Sequence, residues 1–374
     1  MERRTFLIQS SMAATAMVLP VAARGESAQS WSQYGSAMVI DALGAAGSSA
    51  FGTRVPLTAS DIADVKASGI TAINVTVSGV GSYGKDFEET LRNIAFWEEQ
   101  IAAHPEVLMK VMRSGDLDTA KKDGRLGLIY GFQDGTPLGE SLERLDLFCD
   151  LGVRIIQFTY NLRNLVGDGC LEPGDAGLSL FGRKLIARMN EKRMLVDLSH
   201  CGRRTTLESI EISRQPVAIT HAGCTAIADL PRNKTDEQLR KLADKGGVVG
   251  IYLMPYLRTA GQPMAEDVIK HIEHALQICG EDHVGIGTDG VISAVSVTPE
   301  FRKKFHDEIA DRRKRGISAP GERDDVFTFA PDLNTPRRFE TLAYLLSKRG
   351  HADSQIEKII GGNFSRLFRE VWGT

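Results

Sequence analysis

The chain has 374 residues, and its 42% hydrophobic and 25% charged residues are the balance of an ordinary globular protein with ample material for a core. Its 45 Lys and Arg against 48 Asp and Glu give a net charge of −3, so it carries no basic field for nucleic acid or anionic membranes. These figures exclude an intrinsically disordered chain, collagen, a coiled coil and a polytopic membrane protein.

Residues 1–23 predict an export signal. Arg3-Arg4 lie near the start of the sequence, an apolar Ala-rich run follows from Met12 to Val21, and Val21-Ala22-Ala23 offers small residues for cleavage. The apolar run is too short to span a bilayer, and no later segment is long enough either. The string around Arg3-Arg4 is similar to a twin-arginine signal, which predicts export of the folded protein to the periplasm. An ordinary signal, or a tail with two chance arginines, is the alternative.

After Ser30, short β-branched apolar runs alternate with amphipathic helical stretches, the pattern of βα units around a parallel sheet. The predicted strands are residues 37–42, 71–77, 126–132, 153–159, 194–198, 216–220, 247–253 and 283–287. Eight strands are the number that closes a barrel. The sequence therefore predicts an α/β protein, a single-domain (β/α)₈ TIM-like barrel over residues 24–374.

Several of the intervening stretches have recognisable helix ends. The predicted helices are 61–67, capped by Ser60-Asp61 and ended by Gly69; 236–243, capped by Thr235 and ended by Lys245-Gly246; and one from Thr335-Pro336 to about Lys348. Residues 162–177 and 291–331 are long, polar and irregular. We expect them as loops after strands four and eight, on the face where barrels build their active sites.

Polar side chains follow five of the strands. They are Gln133, Tyr160, His200, His221 and Asp289. Because the carboxyl ends of parallel strands meet at one mouth of a barrel, we expect these residues to lie near a common point.

Two imidazoles and a carboxylate at such a point are a ligand set for a divalent ion such as zinc. A lone His in a barrel mouth is more often a hydrogen-bonded structural residue, but His200 and His221 follow adjacent strands and Asp289 a third. Asp289 has two alternatives: a general base for an attacking water, or a cap for the next turn.

The remaining histidines and the cysteines carry weaker signals. His271 and His274 are spaced i,i+3 on one helix and are expected on its solvated face. Five scattered cysteines without a C-x-x-C pair exclude a disulfide scaffold. Cys201 and Cys224 closely follow the two mouth histidines; we expect buried free thiols, with a disulfide as the alternative.

Six motifs together resemble the renal (membrane) dipeptidase family. They are residues 195–200 (Leu-Val-Asp-Leu-Ser-His), 216–221 (Pro-Val-Ala-Ile-Thr-His), 231–236 (Pro-Arg-Asn-Lys-Thr-Asp), 246–250, 283–290 and 361–364. The resemblance covers nearly the whole mature chain. It implies a TIM-like barrel and a zinc-dependent hydrolase that cleaves dipeptides.

The resemblance also implies roles for individual residues. His200 and His221 match metal ligands, and Asp289 matches the catalytic acid/base. Arg232 matches the residue that holds the substrate carboxylate, and Asn233 beside it is carried over as a substrate contact. A guanidinium fork suits a carboxylate on physical grounds as well, with a surface salt bridge as the alternative for Arg232.

Other positions depart from the family pattern. Leu43 and Ala45 stand where the first strand of the family has His-x-Asp, and Gln133 stands at the metal-bridging Glu. Tyr160 replaces a His that contacts the substrate. Three of five usual metal ligands are thus changed, so we expect at most one tightly bound ion, zinc or another divalent metal.

The sequence therefore predicts an exported, metal-dependent hydrolase of a dipeptide or similar small amide, with no nucleic-acid partner, no membrane span and a homodimer as an open possibility. One alternative is a barrel that has lost hydrolysis and binds a peptide-derived ligand or a partner. The other is an enzyme of secondary-metabolite maturation that uses the pocket without two metals, with Tyr160 as acid/base.

Overall fold

The computed structural model describes residues 30–48 and 54–373. The export signal predicted over residues 1–23 lies outside this part of the chain. Within the described part, no helix combines the length and the apolar character needed to cross a bilayer.

Parallel strands form one continuous sheet that curls into a barrel. The strands are β1 Ile40–Ala45, β2 Ala72–Thr76, β3 Leu108–Lys110, β4 Leu126–Phe132, β5 Val153–Gln157, β6 Leu195–Asp197, β7 Ala218–Ala222, β8 Val248–Ile251, β9 Val284–Ile286 and β10 Gly290–Val291. Nine of them pair in the order β10-β1-β2-β4-β5-β6-β7-β8-β9, and β3 pairs with β4 beside this path. The consecutive strands β9 and β10 therefore lie at opposite ends of the path. β9 pairs with β8, while β10 pairs with β1 through Gly290 and Gly44. The eighth strand position is thus filled in two pieces, and the predicted (β/α)₈ barrel is confirmed.

Helices connect successive strands and enclose the sheet. They are α1 Ala59–Ser68, α2 Tyr83–Ala103, α3 Gly115–Asp123, α4 Leu142–Asp150, α5 Leu180–Glu191, α6 Arg203–Ile212, α7 Asp236–Asp244, α8 Ala265–Cys279, α9 Pro299–Lys314, α10 Arg338–Lys348, α11 Asp353–Glu357 and α12 Asn363–Trp372. In α8, the buried residues include Val268, Ile272, Ala275 and Cys279. This spacing of three and four places them on one helical face, which packs against the barrel.

The core has two apolar layers, because alternate residues of a strand point to opposite sides. Ala72 and Val248 point into the barrel, where they form a cluster with Phe364 and Phe368 of α12. Ile73, next to Ala72, belongs to the layer between sheet and helices. Since Ala72 and Val248 begin their strands, α12 closes the end of the barrel where strands start. The opposite mouth is left for the polar residues.

The helix ends partly match the prediction. Thr58, not Ser60, caps α1: the Thr58 hydroxyl accepts from the Asp61 N–H, and the Asp61 carboxylate accepts from the Thr58 N–H. The prediction of Ser60 was wrong because this capping box needs a three-residue spacing. Gly69 ends α1 with φ +72, and Thr235 caps α7, both as predicted.

Two strands start two or three residues later than their apolar runs. β1 begins at Ile40, and the preceding Val39 donates its N–H to the Thr71 hydroxyl, not to a backbone carbonyl. β7 begins at Ala218 rather than Pro216, a residue without an N–H for strand pairing. Both strands also extend further toward the mouth than predicted, to Ala45 and Ala222.

The 291–331 segment, expected to be irregular, contains α9. Only Phe305 and Ile309 of this helix are buried, so its sequence shows no apolar stripe. α10 begins at Arg338, three residues after the predicted start at Thr335. β3 and β10 were missed because runs of three and two residues show no period.

Candidate active site

Side chains that follow different strands meet at the carboxyl-terminal mouth of the barrel. The Tyr160 ring stacks on the His200 imidazole, with ring centroids 4.2 Å apart. His200 in turn meets His221 edge to face at 5.0 Å. Nε2 of Gln133 lies 3.5 Å from Oδ1 of Asp289. The barrel thus brings together residues that lie up to 156 positions apart in the sequence.

The turn after β6 fixes His200. Its backbone is left-handed, with φ +58, a conformation uncommon for residues other than glycine. Nδ1 lies 2.7 Å from the amide oxygen of Asn161, which can only accept, so Nδ1 carries the hydrogen. The buried Nε2 therefore has the lone pair, and it has no partner among the described residues. Lys234 is also buried, and its ammonium group donates to the backbone carbonyl of Cys201, the residue after His200, at 2.8 Å. This bond holds the turn.

A buried carboxylate and two hydroxyls fix His221. Its Nδ1 lies 2.8 Å from Oγ1 of Thr220, and that hydroxyl donates to Oδ2 of Asp197 at 2.5 Å. The Thr220 oxygen therefore accepts from the His221 Nδ1–H. Asp197 also accepts from the N–H and hydroxyl of Ser199. His221 is thus in the same tautomer as His200, and its buried Nε2 likewise lacks a partner in the described part.

The electrostatics of the mouth keep both imidazoles neutral. Burial, followed by the positive charge of Arg232, holds the pKa of His200 and of His221 well below the usual value. Burial raises the pKa of Asp289 to about 6, although Arg232 and Arg312 act in the opposite direction. Asp289 is therefore ionised at neutral pH but close to the range in which a carboxyl exchanges protons efficiently.

Arg232 is fully buried, and none of its three guanidinium nitrogens has a partner among the residues described. The guanidinium carbon lies 5.7 and 5.5 Å from the ring centroids of Tyr252 and Tyr256. Asn233 is engaged elsewhere: its amide donates to the carbonyls of Ala228 and Tyr256 and accepts from the Tyr252 hydroxyl. Asn233 thus shapes the loop that carries Arg232. An unpaired buried cation is costly, so this arrangement suits an anionic ligand.

Residues 292–331, here called the lid segment, reach over the mouth. Arg312 donates to both carboxylate oxygens of Glu322 at 2.7 Å and to the Tyr160 hydroxyl at 3.2 Å. The Tyr256 hydroxyl donates to Glu322 at 2.5 Å. Sequence reasoning missed Arg312 and Glu322. The only signal was the unusual length of the segment, because nothing in its charge pattern separates these two residues from their exposed neighbours.

The first and third strand positions offer no free carboxylate to the mouth. Leu43 and Ala45 are buried and apolar. The carboxylate of Asp41 accepts from the N–H and the hydroxyl of Thr288. That of Asp134 accepts from a backbone N–H and an amide side chain. Both acids therefore serve the local structure.

These residues fit one divalent ion better than two. The orphaned Nε2 atoms of His200 and His221 are neutral nitrogen donors of the kind that zinc and similar ions prefer, with their Nδ1 atoms held by second partners. No group of three or more His, Cys, Asp or Glu side chains that could hold a metal occurs among residues 30–48 and 54–373. A second ion would need anionic ligands, which Leu43, Ala45 and Gln133 do not supply.

Two expectations concern residues near the mouth. Cys201 and Cys224 are buried free thiols. The expectation that His271 is solvated was wrong: it is fully buried, its Nδ1 accepts from the Cys224 N–H at 2.9 Å, and its Nε2 lies 3.0 Å from a carbonyl oxygen. It therefore ties together two loops at the mouth. His274 is partly exposed and bonds to Asp236 at 2.8 Å.

Comparison with known proteins gives consistent matches. The family described as "Membrane dipeptidase (Peptidase family M19)" matches residues 47–305. Dipeptidase verJ of Clonostachys rogersoniana is 31% identical over 287 residues, which are 76% of this chain and 71% of that protein. The crystal structure of an amidohydrolase from Pseudomonas aeruginosa is 32% identical with a TM-score of 0.78, covering 91% of this chain and 98% of that one. A metallo peptidase from Rhodobacter sphaeroides, liganded with a phosphinate mimic of the dipeptide L-Ala-D-Ala, shares the fold at 18% identity and a TM-score of 0.74, covering 90% and 99%.

Proposed function

This chain belongs to the membrane dipeptidase family, peptidase family M19, and from that premise we propose that it hydrolyses a dipeptide or similar small amide with a free carboxylate. The observation that carries the proposal is a set of buried atoms at one mouth. The Arg232 guanidinium and the Nε2 atoms of His200 and His221 all lack partners among the described residues. Buried polar groups are normally paired, so these three are arranged for a ligand.

In this proposal, Arg232 binds the carboxylate of the substrate through paired N–H donors, the geometry that a guanidinium offers best. Tyr252 and Tyr256 flank it and exclude water from the ion pair. The pKa of Asp289, raised by burial to about 6, lets its carboxylate take a proton from the attacking water and return it to the leaving amine. Tyr160, stacked on His200, forms one wall of the pocket.

His200 and His221 would hold one divalent ion, zinc or a similar metal, through their Nε2 atoms. Such an ion, when bound, supplies Lewis-acid polarisation of the scissile carbonyl. The Asn161 amide and the Thr220 hydroxyl keep both imidazoles in the tautomer that this role requires.

A dipeptide library tests the proposal. Purified protein is incubated with the library alone and with added zinc, manganese or cobalt, and released amino acids are measured. We expect hydrolysis that depends on Arg232 and Asp289. The absence of cleavage under every condition would reject the proposal.

That negative result would favour a second candidate, a barrel that binds a peptide-derived ligand without hydrolysis. The apolar Leu43 and Ala45 and the neutral Gln133 in the metal region favour this candidate. Direct binding of carboxylate-bearing dipeptides without turnover is its expected result.

A third candidate is an enzyme that matures a metabolite, in which Tyr160 is the acid/base. Tyr160→Phe would then abolish turnover.

The protein's location and assembly belong to the same proposal. The Arg3-Arg4 pair and the apolar run after it support export by the twin-arginine route to the periplasm. The homodimer stays a prediction, which light scattering of the purified protein tests.

A further inference from the structure

Asn161 connects the lid segment to a mouth histidine. Its side chain is fully buried. The amide nitrogen donates to the backbone carbonyl of Ile317, in the lid segment, at 2.7 Å. The amide oxygen lies 2.7 Å from Nδ1 of His200. One side chain therefore contacts both the lid segment and the imidazole.

The two contacts are not independent. A backbone carbonyl can only accept, so the carbonyl of Ile317 requires the NH₂ end of the Asn161 amide to face the lid segment. The oxygen must then face His200, which places the hydrogen on Nδ1 and the lone pair on Nε2. Rotated by half a turn, the same amide would donate to Nδ1. The hydrogen would then lie on Nε2, and that atom could not bind a metal or accept a proton.

The position of the Ile317 carbonyl depends on how the lid segment is fastened. Ile317 lies between Arg312 and Glu322, which form a two-point ion pair. The Glu322 side chain is only 2% exposed and also accepts from Tyr256 of the barrel. Arg312 reaches the barrel through Tyr160. This pair therefore holds the stretch that carries the carbonyl against the mouth.

We infer that Asn161 is a positioning residue through which closure of the lid segment selects the His200 tautomer with a free Nε2. The inference rests on the proposed function only for the role of that Nε2 as a metal ligand. Closure and tautomer are measurable without any substrate.

The experiment uses the full chain with ¹⁵N-labelled histidine at pH 8, with a chelator so that no metal masks the ring nitrogens. The nitrogen shifts of His200, identified by its loss in His200→Gln, report the tautomer. Hydrogen exchange of residues 315–322 reports the lid segment. Arg312→Met removes one partner of a buried pair, and the exposed neighbour Arg313→Met is the matched control.

We expect Arg312→Met to lower protection of residues 315–322 by roughly tenfold or more, because an unpaired buried Glu322 is strongly unfavourable. The His200 signal should then change from one defined tautomer to a mixture. Glu322→Gln, which keeps the side-chain shape, should act in the same direction. Arg313→Met should leave both readings unchanged.

Asn161→Asp separates closure from the tautomer. A carboxylate accepts from the His200 Nδ1–H however the lid segment lies, so the double variant Asn161→Asp/Arg312→Met should regain the Nδ1–H tautomer despite weak protection.

An exposed lid segment with an unchanged tautomer in Arg312→Met would overturn the inference. So would full protection of residues 315–322 in both Arg312→Met and Glu322→Gln. A protein that fails to cleave dipeptides would reject the proposed function, yet leave these readings and the inference intact.

Discussion

Thr288 donates its backbone N–H and its hydroxyl to the two carboxylate oxygens of Asp41, at 2.8 and 2.6 Å. This pair ties the turn between β9 and β10 to β1 and closes the barrel at the mouth. The next residue, Asp289, donates its N–H to the carbonyl of Leu43 at 2.8 Å. The carboxylate of β1 therefore positions Asp289 through the neighbouring Thr288.

The first prediction concerns pH and stability. Burial raises the pKa of Asp41 to about 7, so the folded state holds a proton that the unfolded state releases near pH 4. This contribution to stability is present below pH 4 and lost as the pH rises through 7. Asp41→Asn offers Thr288 one acceptor and one donor, as the protonated acid does. This variant should therefore make the free energy of unfolding less dependent on pH. Three pKa units limit the change to about 4 kcal/mol.

Urea unfolding between pH 4 and 7 measures this effect. Asp150→Asn, an exposed carboxylate at the end of α4, is the control. A profile equally steep in Asp41→Asn and wild type would contradict the assignment.

The second prediction concerns anchoring by Arg232. Arg232→Ala should weaken binding of a ligand with a free carboxylate by about 1.5–3 kcal/mol, the range for a hydrogen bond to a charged group. An amidated analogue should bind almost equally well to both proteins, as calorimetry or inhibition can measure. Because Arg232 is an unpaired buried cation, Arg232→Met should also leave the unfolding temperature unchanged or raise it. Equal affinity losses for both ligands would show that Arg232 is structural.

The third prediction concerns metal content. We expect at most one tightly bound divalent ion per chain, because the mouth supplies two neutral imidazoles but no anionic ligands for a second ion. Elemental analysis after dialysis should show this ion lost in His200→Ala and His221→Ala. His274→Ala, at a partly exposed site away from the mouth, should retain it. Two equivalents of tightly held metal would overturn the one-ion arrangement.

The fourth prediction concerns the partner of His221. Thr220→Val removes the acceptor for the His221 Nδ1–H and leaves Asp197 short of a donor. We expect about 1–3 kcal/mol lower stability and roughly 10–100-fold weaker Co²⁺ binding. Thr119→Val, at an exposed helical position, is the matched control. Unchanged metal affinity in Thr220→Val would mean that the hydroxyl does not orient the imidazole.

The fifth prediction concerns export. Replacing Arg3 and Arg4 by Lys should leave the protein in the cytoplasm, since the twin-arginine route reads the arginine pair itself. Cell fractionation and immunoblotting measure the distribution. Undiminished periplasmic protein from the Lys variant would contradict the proposed route.

Most of the barrel could be predicted from the sequence because strands and strand ends are local features. Each apolar run and the polar residue after it can be read within a few positions, so His200, His221 and Asp289 could be assigned to one mouth. Arg312 could not, because its partner Glu322 and its contact Tyr160 become neighbours only in three dimensions. His271 was misjudged for a related reason: the polar atoms that satisfy it belong to loops 47 and 14 positions away in the sequence, outside its own helix.

The floor of the barrel has a consequence for folding. Phe364 and Phe368, which fill the barrel from below, belong to α12, whereas Ile40 and Ala72, with which they cluster, belong to the first two strands. A chain without α12 would keep every residue of the mouth and lose the packing beneath it. The polar mouth therefore depends on an apolar helix that it never contacts, and a substitution in that helix would disturb the site without touching it.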